Sequence, residues 1–84
     1  MLLPFGRKRP ILYMRGGEFV RKVTASAKAR GIACRFASAR GKGSHGMLYF
    51  GSRRTIVPDL KRELKTGTLR AMLKQLGLTA DDLR

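Results

Sequence analysis

Apolar residues recur at helical spacing between Glu18 and Arg30, where Phe19, Val20, Val23 and Ala27 form one stripe and Arg21, Lys22 and Lys28 lie outside it. Lys28 and Arg30 fall in what would be the last turn, where cations suit the negative end of the helix dipole, and Gly31 follows as a C′ residue. The pattern then changes period. Ile32, Cys34 and Phe36 alternate with Ala33, Arg35 and Ala37, Met47–Phe50 is a continuous apolar run, and Thr55–Val57 is β-branched and closed by Pro58. Ser38–Ser44 is polar, basic and glycine-rich and reads as a loop, whereas Gly51 and Ser52 are turn-formers that make residues 47–57 a tight hairpin.

A charged connector, Asp59–Lys65, leads to a second helix for which Thr66 is the expected cap. Leu69, Met72, Leu73 and Leu76 form its stripe, Gly77 supplies a left-handed C′ position, and Leu78 falls where a Schellman motif packs back on Leu73. Thr79 and Asp82 have the spacing of an N-cap and an acidic third residue, which predicts one more helical turn. The order helix, three strands, helix predicts an α+β domain with one antiparallel sheet.

The 84 residues suffice for one small core, and 43% hydrophobic residues is ordinary for a folded chain. Residues 14–84 read as the domain. Residues 1–13 carry Arg7, Lys8 and Arg9 between short apolar patches, which is not the layout of a signal peptide; they read as a disordered basic arm, or as translation upstream of a start at Met14. No apolar run approaches the roughly 20 residues that cross a bilayer. The lone Cys34 provides neither a disulfide nor a zinc set, which fits a reducing, cytoplasmic setting.

Charge narrows the function. Nineteen Lys and Arg against five acids give a net +14, a field that draws polyanions. Nucleic acid is the expected partner, because each neutralised phosphate releases a counterion. A membrane surface would need a basic amphipathic helix with large apolar residues opposite, which neither helix provides. The five acids are scattered, with adjacent carboxylates only at Asp81 and Asp82, so a two-metal nuclease site is not expected and no cofactor is called for. The Gly41–Gly46 segment lacks the context of a P-loop.

His45, the one histidine, remains as the candidate for chemistry. Histidine titrates near pH 6.5 and can take and return a proton at neutrality. RNA carries its own nucleophile in the 2′-hydroxyl, so a positioned base and nearby cations suffice to cleave it. Arg40, Lys42, Arg53 and Arg54 are the cations, and the glycines around Gly43 and Ser44 leave main-chain N–H groups open to a phosphate. A hydrogen-bonded, inert histidine at a strand edge is the plainer reading of the residue type alone. If Leu48 and Phe50 face the helices, then His45, Met47 and Tyr49 lie on the opposite face. Tyr49 there serves either surface packing or base stacking.

The stretch Lys42–Leu78 resembles the HicA (YcfA-like) toxin family. The resemblance rests on Gly43-Ser44-His45, then Arg53-Arg54-Thr55-Ile56-Val57-Pro58, Glu63-Leu64, Gly67-Thr68-Leu69 and Leu73-Lys74-Gln75-Leu76-Gly77-Leu78. With the upstream helix it extends over Arg15–Leu83. It implies a fold like a double-stranded-RNA-binding domain, and a toxin that cleaves mRNA with a histidine at the position of His45; the scattered acids make metal-independent cleavage the expectation. The resemblance also implies a HicB-type antitoxin that covers the active site; RNA contacts are expected from Arg40, Lys42, Gly43, Ser44, Arg53 and Arg54 on charge and open backbone alone. Two positions depart from the family pattern: Gly46 stands where many members have an apolar residue or histidine, and the Gly51-Ser52 turn is short. The rival reading is a non-enzymatic basic RNA-binding module. An adaptor for acidic proteins is less favoured.

Overall fold

The computed structural model describes residues 14–38 and 45–83. Two helices, α1 (Gly16–Arg30) and α2 (Thr66–Leu76), flank three strands in the chain, β1 (Cys34–Ser38), β2 (Gly46–Phe50) and β3 (Arg53–Val57), and a 3₁₀ turn at Ala80–Leu83 ends the described chain. The strands form one antiparallel sheet in the order β1-β2-β3. This is the α-β-β-β-α order that the periodicity predicts, and it agrees with the double-stranded-RNA-binding-domain-like α+β fold that the resemblance implies.

Both helices pack on the same face of the sheet. Phe19, Val23 and Ala27 of α1 and Leu69, Met72, Leu73 and Leu76 of α2 bury their stripes against Leu48, Phe50 and Val57. Val20, Ile32, Cys34 and Phe36 pack at the margin of this core. One buried polar side chain, Thr55, lies among them at 1% exposure, and its hydroxyl donates to Gln75 Oε1 of α2 at 2.5 Å. Burial without loss of the hydrogen bond is what makes a hydroxyl tolerable there.

Both helices end on local chemistry at the C-terminus, whereas α1 begins on tertiary chemistry. Gly31 and Gly77 both adopt the left-handed C′ conformation, at φ 71° and 74°, and the Leu78 N–H donates to Leu73 O at 2.9 Å. At the other ends no side chain caps either helix. Thr66 is the first residue of α2 rather than its cap, because Lys65 holds the extended conformation before it.

The first helix begins at Gly16, two residues before the periodicity starts, because the connector caps it. Gly16 N–H donates to Arg62 O at 3.1 Å and Gly17 N–H to Leu60 O at 2.9 Å. The connector is locked in return: Leu64 N–H donates to Met14 O at 2.8 Å, Arg15 Nη1 donates to Lys61 O at 2.9 Å, and the Arg15 and Glu63 backbones pair as an isolated antiparallel β-bridge. A β-carbon on Gly16 would stand 2.1 Å from Asp59 O, so this approach demands glycine.

Strand limits also move. Ile32 is outside β1 because its N–H is taken by Ala27 O, 2.8 Å away, in the end of α1. Arg53 is inside β3 because it pairs with Phe50 across the two-residue turn, where Gly51 takes φ 61° as a type II′ turn asks. In the 3₁₀ turn, the Asp82 carboxylate accepts from the Thr79 N–H at 2.7 Å and from its hydroxyl at 3.0 Å, and pairs with Arg30 of α1. The Thr79 backbone hydrogen bond, then the Thr79 hydroxyl and Arg30, hold the Asp82 carboxyl below its ordinary value of 3.8, against a smaller opposing effect of burial.

Candidate nucleic-acid interface and active site

The sheet has a second face that carries no helix. Directly paired residues share a face, so register decides which side chains stand together. Arg35, Tyr49 and Arg54 form one row across the three strands, and Ala37, Met47 and Ile56 form the next. Ile56 is 57% exposed, and Met47 and Tyr49 are half-buried. Arg35 Cζ lies over the Tyr49 ring at 4.6 Å from its centroid.

His45 immediately precedes β2 and is exposed. Strand alternation from buried Gly46, Leu48 and Phe50 puts it on the parity of Met47 and Tyr49, at one end of the helix-free face. Among the described residues its ring makes no hydrogen bond or ion pair.

The next residue explains how this end of the strand is held. A β-carbon on Gly46 would stand 2.3 Å from Ala37 O and 2.8 Å from Phe36 Cζ. Only a glycine lets β1 and the Phe36 ring close over this position, so the departure from the family pattern at Gly46 has a packing cause. It fixes the backbone that carries His45.

The predicted cations do not all join this face. Arg54 does, directly opposite Tyr49. Arg53 has the opposite parity: a β-carbon on Gly77 would meet its guanidinium at 3.1 Å, which places that cation at the C-terminal end of α2, where the helix dipole is negative. Arg40, Lys42, Gly43 and Ser44 lie outside the described residues, as does the arm 1–13. Arg35 was not anticipated as a site residue; its parity with Ala37 in the alternating β1 pattern was the available signal.

Electrostatics separates the two sides. All five acids sit off the sheet: Glu18 in α1, Asp59 and Glu63 in the connector, and Asp81 and Asp82 in the 3₁₀ turn. The ion pairs found among the described residues, Arg30–Asp82 and Arg62–Asp59, leave Arg35 and Arg54 without a carboxylate. Among these residues no group of three or more His, Cys, Asp or Glu converges to hold a metal ion, and no helix is long and apolar enough to cross a membrane. The arrangement offers a proton acceptor, two unneutralised guanidiniums and an aromatic ring on one accessible surface.

A family model described as the HicA toxin of bacterial toxin–antitoxin matches residues 32–78, a little over half of the chain and the span from β1 to the end of α2. No curated protein matches the chain, and neither does any solved structure.

Proposed function

Because the chain belongs to the HicA toxin family and is thus the toxin component of a toxin–antitoxin pair, we propose that it is a metal-independent endoribonuclease that cleaves mRNA and uses His45 as its base. One observation carries this reading: His45, the only histidine, is exposed on the helix-free face, beside a strand whose outward row is cationic and free of carboxylates.

His45 takes the proton of a 2′-hydroxyl, and the 2′-oxygen bonds to the adjacent phosphorus. The bond from phosphorus to the 5′-oxygen breaks, leaving a 2′,3′-cyclic phosphate and a 5′-hydroxyl that takes its proton from water. Histidinium returns its proton to solvent. Arg54 draws a flanking phosphate of the same strand, while Arg40 and Lys42 balance the charge that gathers on the scissile phosphate. Gly43 and Ser44 offer main-chain N–H groups to the same phosphate. Arg53 contributes to the field at longer range. The partner that silences such a toxin is a protein antitoxin, of the HicB type in this reading, which must cover the basic face. The cytoplasm, where mRNA is translated, is the place of action.

Inducible expression of the wild type and His45→Ala, with total RNA examined for cleavage, is the test. The replacement should lower the cleavage rate by about 10²–10⁴ or more. It should leave the melting temperature unchanged, because an exposed ring leaves no cavity, and RNA affinity should persist. Cleavage should survive excess chelator. A variant that cuts at the wild-type rate would reduce the chain to an RNA-binding module, and rescue of a chelated enzyme by magnesium would require other ligands.

A further inference from the structure

We propose that the row Arg35–Tyr49–Arg54 binds one nucleotide of single-stranded RNA, with its base stacked on the Arg35–Tyr49 pair and its phosphate on Arg54. This deepens the nuclease reading and rests on it for the identity of the polyanion. The three residues come from three strands and stand side by side only because of the register. Arg35 is already laid over the aromatic ring, so its planar cation is oriented before a ligand arrives. A guanidinium plane and a tyrosine ring are both surfaces on which an unpaired base stacks. Arg54, on the other side of Tyr49, is the cation left for the phosphate.

Two features favour a single strand over other occupants. A duplex hides the faces of its bases, so a flat stacking surface gains nothing from it. A protein partner chosen by apolar contact would be met by Met47 and Ile56 but would have to desolvate two guanidiniums that no carboxylate among the described residues neutralises. Tyr49 is four residues along the strand from His45, about 13 Å. The stacked base therefore belongs to a nucleotide beyond the scissile step, and the row sets how much single strand the enzyme must grip and which flanking base it prefers.

Binding is read in a His45→Ala background, so that no cleavage intervenes and the outcome does not depend on the catalytic assignment. The probes are a labelled oligouridine long enough to span the sheet and an RNA duplex of equal length, followed by anisotropy across a salt series. Tyr49→Leu should weaken oligouridine binding by about 5- to 150-fold, the usual worth of one stacked base, without changing the salt slope. Tyr49→Phe should restore it. Arg54→Gln should weaken binding and lower the slope by about 0.7, one phosphate contact on a single strand. Where Tyr49→Leu melts early, Arg35→Gln on the exposed strand gives the same reading. The proposal is overturned by wild-type affinity in a folded Tyr49→Leu or Arg35→Gln protein, by preference for the duplex, or by a loss confined to antitoxin binding. Retained cleavage by Tyr49→Leu in the His45 protein, with reduced affinity, supports the subsite and leaves the catalytic assignment intact.

Discussion

The two faces of the sheet are built from the same strands and alternate residue by residue, yet they differ in almost everything that matters. The helix-covered face holds Leu48, Phe50, Val57 and the hydrogen-bonded Thr55. The other holds Arg35, Tyr49, Arg54, Met47 and Ile56, with His45 at its end. Stability comes from the first, where apolar area leaves water. The proposed chemistry belongs to the second, where exposed cations and His45 meet solvent. A domain this small has little core to spare, so placing the functional groups on the uncovered face costs the core nothing.

Cutting into the covered face should have the largest effect on folding. Leu48→Ala removes a fully buried side chain from the central strand and should cost about 2–5 kcal/mol in a denaturant titration. That is a large share of the stability of a small domain. A loss well under 1 kcal/mol would mean that the helices do not rest on β2. His45→Ala is the counterpart on the open face, expected to remove activity and leave stability alone.

Gly46 joins the two faces and should show a mixed effect. Gly46→Ala drives a β-carbon into the Ala37 carbonyl, and the obstacle is backbone that has to move. A destabilisation of about 1–3 kcal/mol is expected. Cleavage by the folded fraction should fall as well, since His45 is carried on the displaced segment. Full activity per folded molecule would separate the position of His45 from the packing of Gly46.

The smallest effect lies away from both faces. Asp82→Asn should destabilise near neutrality, because the folded carboxyl sits below its ordinary value of 3.8. A depressed carboxyl contributes stability above its unfolded pKa and loses it as pH falls through the folded one. The gap between wild type and variant should therefore close in acid below 3.8, as chemical denaturation at several pH values would show. A gap that persists there would assign the effect to packing of the 3₁₀ turn.

The pattern along the chain sets the order of elements, because a 3.6-residue period and a 2-residue period are written in its apolar positions. It also sets the ends that depend on near neighbours: Gly31 and Gly77 at the helix C-termini, the Leu78–Leu73 return and the Thr79–Asp82 box. The parity rule that predicts His45 on the side away from Leu48 and Phe50 also separates Arg53 from Arg54, two residues that adjacency alone had grouped. What depends on partners distant in the chain is settled by folding. The connector's carbonyls cap α1 from more than forty residues away, so no local cap signals its start. The Arg35–Tyr49–Arg54 row exists through strand register, which hydrogen bonding between strands sets and a one-residue slip would destroy. Gly46 is required by the approach of Ala37 and Phe36. Local chemistry is carried by neighbours in the chain, whereas a surface is made by residues that meet only once the chain has folded.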